Sequence, residues 1–134
     1  MRLFIDTDIL LDVLLGREPH LSASGELLDW AEKHPGKAAV SWHGLANLHY
    51  MSEGGAEAFI RDLLSFCEVP STGTMELHYA LDLKYRDLED AMQTAAAMKF
   101  QAQAIATRNV KDYRKSPIAV LTPTDLVLKL RDIR

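Results

Sequence analysis

Apolar residues fall in two patterns along this chain. Short unbroken runs, among them Leu3-Phe4-Ile5, Ala38-Ala39-Val40, Ala104-Ile105-Ala106 and Ile118-Ala119-Val120, alternate with longer stretches in which apolar positions recur at helical spacing. The runs predict strands at 3–5, 37–41, 104–107 and 118–120, with another short one at 68–70. The stretches between them predict helices. The first follows Asp6, with Thr7 or Asp8 as its cap, Leu10, Leu11 and Leu14 on its buried side and Gly16 at its end. Asp12 reads as a solvated position on that helix. Further helices are predicted over 21–33, 42–52, 56–66 and 75–83, with Leu45, Leu48 and Met51 facing the core. Asp87 caps a helix that runs to Phe100. A last helix starts at Thr122-Pro123, where proline suits the first turn. Pro35-Gly36 and Gly54-Gly55 break the chain, and residues 108–116 read as a loop.

Strands that alternate with helices predict an α/β fold with a mostly parallel sheet. Unbroken apolar strands imply that both sheet faces are covered, which makes three layers, α/β/α. A length of 134 residues, 48% of them hydrophobic, fits one domain over 1–134. In such sheets ligands bind beyond the carboxyl ends of the strands, so the residues just after each strand are the ones to inspect.

Charge and composition narrow the picture further. The 15 basic and 19 acidic residues give a net charge of −4, so bulk charge lends no support to nucleic-acid binding. A polyanion would have to be held by bound cations or a local basic patch. No apolar run approaches the roughly 20 residues that span a bilayer, so no membrane association is expected. Asp6 interrupts the N-terminal apolar run too early for a signal peptide. The single cysteine, Cys67, has no internal disulfide partner and reads as a buried hydrophobe, which makes a reducing cytoplasm the default compartment.

The acids carry the candidate chemistry. Asp6 ends the first strand, Asp112 lies in the loop after Thr107, and Asp87 and Asp90 open a helix on one face. Each has an ordinary alternative role, as helix cap, first-turn anion or turn residue. Together they place carboxylates from three segments at element ends that can share one rim of the sheet. Two such charges at roughly 4 Å repel by about 4 kcal/mol at an effective dielectric of 20. A divalent cation is the natural compensation, and all-oxygen ligands favour Mg²⁺ or Mn²⁺. The histidines build no zinc motif: His43 and His49 are wrongly spaced for one helix face, and His20, His34 and His78 have no ligand partners nearby in sequence.

Three segments in this order resemble the PIN-domain ribonucleases. Phe4-Ile5-Asp6-Thr7-Asp8 is similar to the family's opening strand and aspartate, although Asp8 stands where asparagine is usual. Asp87-Leu88-Glu89-Asp90-Ala91 resembles the start of its central helix, and Thr107-Arg108-Asn109-Val110-Lys111-Asp112-Tyr113 the motif of its last acid. The resemblance spans essentially the whole chain. It implies a PIN-like fold in which Asp6, Asp90 and Asp112 hold Mg²⁺ or Mn²⁺, and hydrolysis of RNA phosphodiester bonds. The small single-domain form is typical of VapC-type toxins, which implies a small antitoxin protein as partner and a homodimer. The chain departs from the family at Asn47, where a glutamate is usual; Asp87 or Asp8 is then left to restore the missing charge.

On this reading the catalytic candidates are Asp6, Asp90, Asp112, Asn47 and Asp87. The substrate-binding candidates are Thr7, Thr107, Arg108, Asn109 and Lys111. Arg108, Lys111, Arg114 and Lys115 around the single acid Asp112 give a local charge of +3, which suits an RNA backbone or simply a solvated loop. Lys129, Arg131 and Arg134 read as solvated helix surface. Two alternatives stand beside the nuclease. One is a non-catalytic PIN-like domain that binds RNA or protein. The other is a haloacid-dehalogenase-type phosphatase, suggested by the paired acids Asp6 and Asp8 but poorly matched by Ile9-Leu10.

Overall fold

The computed structural model describes residues 1–132. Five strands and seven helices alternate as expected: β1 (Leu3–Ile5), α1 (Thr7–Leu14), α2 (Leu21–Lys33), β2 (Ala38–Ala39), α3 (Trp42–Met51), α4 (Glu57–Leu64), β3 (Cys67–Glu68), α5 (Thr74–Asp82), α6 (Leu88–Phe100), β4 (Ala104–Ala106), β5 (Ala119–Leu121) and α7 (Pro123–Asp132). All strand pairs are parallel, in the order β3-β2-β1-β4-β5. The chain winds outward from β1 through β2 to β3, then returns to the other side of β1 with β4. The carboxyl ends of β1 and β4, paired as Ile5 with Ala106, therefore flank the point where the winding reverses.

The strands show why a three-layer fold forms. Leu3 and Ile5 of β1, Ala38 of β2 and Ala104 and Ala106 of β4 face one core, shared with α1, α2 and α7. Phe4, Ala39 and Ile105, one position out of step, face a second core with Ala96, Ala97 and Phe100 of α6. Small residues on α6 let that helix lie close to the sheet. Ala80 of α5 packs on Ala91 and Ala95 of α6 in a third, smaller cluster. Among the described residues no helix is long and apolar enough to cross a membrane.

Several local expectations change. Strand pairing is confined to two or three residues per strand, so β2 and β4 are shorter than the expected 37–41 and 104–107, β3 starts one residue before the expected 68, and β5 is shifted one residue along to 119–121. The cap of α1 is Asp6, whose backbone is extended and whose side chain accepts from Asp8 N, rather than Thr7 or Asp8. The loop at 108–116 contains a short 3₁₀ turn, Val110–Tyr113. Met51 is exposed at the end of α3, whereas Leu48 is buried and Leu45 partly so. The largest correction is Asp12, which is fully buried instead of solvated, because Arg108 and Ser24 both reach it. Cys67 is buried, and burial pushes its thiol up to about 12, as suits a hydrophobic filler. Lys129 is exposed, Arg131 pairs with Glu26 at 2.6 Å, and Arg134 lies outside the described residues.

Candidate metal and active site

The rim at the carboxyl ends of β1 and β4 is built around Asp6. As the residue that leaves the sheet and caps α1, it has its backbone fixed from both sides. Its carboxylate is buried and accepts four hydrogen bonds. Oδ1 takes Gln93 Nε2 at 2.9 Å and Asp8 N at 3.3 Å; Oδ2 takes Thr107 Oγ1 at 2.6 Å and Tyr113 Oη at 3.2 Å. Hydrogen bonds of this kind offset the cost of taking a polar group out of water. Gln93 in turn accepts from Thr7 N at 3.2 Å, which ties the middle of α6 to the start of α1. Gly44 lets the start of α3 come close to this corner: a Cβ there would collide with Thr7 Oγ1 and Ser41 Oγ.

Asp90 meets Asp6 across a single hydroxyl. Tyr113 Oη lies 3.2 Å from Asp90 Oδ1 and 3.2 Å from Asp6 Oδ2. One hydroxyl proton serves only one of them at a time. Burial, then the charges of Asp6 and Asp87, raise the Asp90 carboxyl to about 7, partly offset by the Tyr113 hydrogen bond. Burial, then the charges of Asp6 and Asp90, hold the Tyr113 phenol far above its usual range, so it stays protonated. Asp90 thus keeps its proton to a pH well above that of an ordinary carboxyl when nothing but protein surrounds it.

Other acids crowd the same rim. Burial, with Asp6 and Asp12, raises Asp8, against the pull of Arg108 and Arg17. Burial, then Asp87, Asp6 and Asp8, raises Glu89. Asp87 caps α6 by accepting from Glu89 N at 2.8 Å and is otherwise exposed. Asp112 stands exposed on the 3₁₀ turn, shares no hydrogen bond with Asp6 or Asp90, and is the least of the charges that raise Asp90. Asn47, on α3, donates from Nδ2 to Glu89 Oε2 at 2.6 Å. Its neighbour His43 has Nε2 buried without a partner among the described residues, and burial lowers its pKa, so the ring is neutral.

The substrate candidates divide. Arg108 is committed to Asp12 through Nε at 2.7 Å and Nη2 at 3.2 Å, bracing the loop after β4 against α1. Thr107 is buried, with its hydroxyl given to Asp6. Thr7 is buried too, and Asn109 donates to Asp8 Oδ2 at 2.6 Å. Lys111 and Arg114 are exposed beside this rim, while Lys115 Nζ is held by Lys84 O at 2.8 Å. Three contributors escape a sequence reading. Glu89 is hidden between Asp87 and Asp90, Tyr113 looks like loop filler after Asp112, and Gln93 sits in an alanine-rich helix. The one usable signal is Gln93 itself, a polar residue on the inward, apolar face of α6.

The donor chemistry fits a hard divalent cation. Asp6, Asp90 and Glu89 offer only carboxylate oxygen, Asp6 repels both of the others, and among the described residues none of the three has a Lys or Arg hydrogen-bonded to it. As packed, no three His, Cys, Asp or Glu side chains among the described residues converge on one point. Asp6 and Asp90 form a pair; the third acid expected from the sequence stands outside it.

Comparison with known proteins bears on this rim. A sequence model of the PIN domain matches residues 2–111. No curated protein sequence matches the chain. Among solved structures, a chain of a toxin–antitoxin complex from Klebsiella pneumoniae superposes with a TM-score of 0.66 at 26% identity, covering 92% of this chain and 98% of that one. VapBC2 from Rickettsia felis, bound to a DNA fragment from its promoter, gives 0.64 at 19% identity, with 90% and 97% covered. VapBC-1 from nontypeable Haemophilus influenzae gives 0.65 at 16% identity, with 92% and 99% covered. Neither the family match nor these structures support the phosphatase alternative.

Proposed function

The chain belongs to the PIN-domain family, and on that premise we propose that it is a divalent-metal-dependent endoribonuclease, the toxin of a toxin–antitoxin pair. The observation that carries the proposal is the meeting of Asp6 and Asp90, from distant segments, around one Tyr113 hydroxyl at the winding reversal of the sheet. Asp6 and Asp90 are the metal ligands. Asp112 joins them from the 3₁₀ turn, and Asp87 and Asn47 act from the edge. A Mg²⁺ or Mn²⁺ ion held there supplies a water of lowered pKa and polarised phosphoryl oxygens.

The chain's own residues do the rest. Thr107, Gln93 and Tyr113 fix the orientation of the Asp6 carboxylate, so that it is preorganised before any ligand arrives. Thr7 supports Gln93, and Asn109 fixes Asp8. Lys111 and Arg114 are the exposed cations that can hold an RNA backbone without reading its sequence. They answer how an acidic protein holds a polyanion. The antitoxin partner follows from the likeness to subunits of toxin–antitoxin complexes. A homodimer and a cytoplasmic site of action belong to the same proposal.

The test is RNA cleavage with Mn²⁺, with a chelator, and with Asp6→Asn and Asp90→Asn. Wild type should cleave only with the metal. Each variant should keep its fold by circular dichroism and lose at least ~100-fold in rate, more than the loss typical of a residue behind a ligand. Full activity in either variant, or in chelator, refutes the assignment. A non-catalytic binding domain is the second reading. It is favoured by the four hydrogen bonds that already occupy Asp6, and it predicts RNA or protein binding with no cleavage under any metal condition.

A further inference from the structure

The position of Asn47 on α3 leaves the rim one carboxylate short of what the family resemblance implies. The structure shows what stands against it. Asn47 Nδ2 donates to Glu89 Oε2 at 2.6 Å, joining α3 to the first turn of α6. An amide N–H can only donate, so this contact fixes one oxygen of the carboxylate and leaves Glu89 Oε1 and Asn47 Oδ1 without a protein partner among the described residues. Neither oxygen is buried and orphaned, so both are open to water or to a cation. We infer that Glu89 supplies the carboxylate that α3 lacks, and that Asn47 is the positioning residue that holds it at the metal rim.

The bland account of Glu89 is an acid in the first turn of a helix, favoured by the dipole and pointing into solvent. It does not explain the observed contact. A solvated first-turn glutamate has no reason to be held by a side chain from another helix, or to lie within the repulsion of Asp6, Asp8 and Asp87. The repulsion makes Glu89 a costly neighbour for the metal-free rim and a useful one once a cation is bound. The charge lost at position 47 is returned one residue before Asp90, from the element that already carries that ligand.

The inference rests on the nuclease reading, and the experiment separates the two. Mn²⁺ binding is followed by the loss of free-ion signal in electron paramagnetic resonance, and by the metal-induced rise in melting temperature. The proteins are wild type, Glu89→Gln, Asn47→Ala and the exchange Asn47→Glu/Glu89→Gln. The exchange moves the carboxylate across the hydrogen bond while keeping a donor and an acceptor in place. Wild type should bind Mn²⁺. Glu89→Gln should weaken binding by tenfold or more, yet match or exceed wild type in melting temperature without metal, because a repelling charge is gone. Asn47→Ala should weaken binding severalfold, and the exchange should recover most of it. Binding by Glu89→Gln equal to that of wild type overturns the inference alone. So does an exchange variant that folds with the wild-type melting temperature but binds no better than Glu89→Gln. Absence of Mn²⁺ binding by wild type overturns the nuclease reading and this inference with it.

Discussion

Replacing Arg108 by leucine should destabilise the protein far more than it should weaken any contact with RNA. Asp12 is wholly buried, and its carboxylate depends on Arg108 at 2.7 and 3.2 Å and on Ser24 Oγ at 3.1 Å. Among the described residues Arg17 is the other cation paired with it, at 4.0 Å. Removing one partner of a buried ion pair typically costs about 3–5 kcal/mol, because the remaining charge is left uncompensated. Arg17 and Ser24 remain, and Arg108 is itself a quarter exposed, so the cost falls to just below that range, about 2–3 kcal/mol. Urea unfolding at neutral pH measures this as a drop in midpoint at constant slope. The companion Asp12→Leu/Arg108→Leu should recover part of the loss, since no buried charge is then orphaned. If Arg108→Leu costs less than about 0.5 kcal/mol, the value for an ordinary surface position, Arg108 is not the brace described here and its assignment to substrate returns.

Two further outcomes follow from the same rim. The Asp90 carboxyl is raised to about 7 by burial and by Asp6 and Asp87, so the metal-free folded state binds more protons than the unfolded chain between roughly pH 4 and 7. Its contribution to stability should be present below the unfolded value and be lost as pH rises to about 7, by about 1–2 kcal/mol after solvent screening. Mn²⁺ affinity should rise over the upper part of the same range, and a titration showing affinity independent of pH between 5.5 and 8 would contradict the placement of Asp90 as a ligand. Gly44→Ala should cost about 1–3 kcal/mol in thermal or chemical unfolding, since its methyl group collides with Thr7 and Ser41; an unchanged midpoint would show that α3 can shift away freely.

The fold was legible because its signals are local. Apolar runs such as Leu3-Phe4-Ile5 mark strands covered on both faces, and breakers such as Pro35-Gly36 mark the turns between elements. Asp6 was legible for the same reason, as an acid placed directly after a buried strand. What the sequence hid was pairing across the chain. Asp12 looks solvated until Arg108, far along the chain, is seen to reach it. Asn47 looks like a missing charge until α6 brings Glu89 against it. Tyr113 bridges Asp6 and Asp90 only because the 3₁₀ turn folds back under α6. Spacing along a helix or strand predicts faces, but it carries no information about which distant side chain fills the space opposite.

The central claim is that Asp6 and Asp90 share one divalent cation. Anomalous scattering from crystals soaked in Mn²⁺ tests it most directly. The account predicts a peak at roughly 2.0–2.3 Å from a carboxylate oxygen of each, with Tyr113 Oη displaced from at least one of them. Peaks confined to other parts of the surface, or none at saturating Mn²⁺, would contradict it.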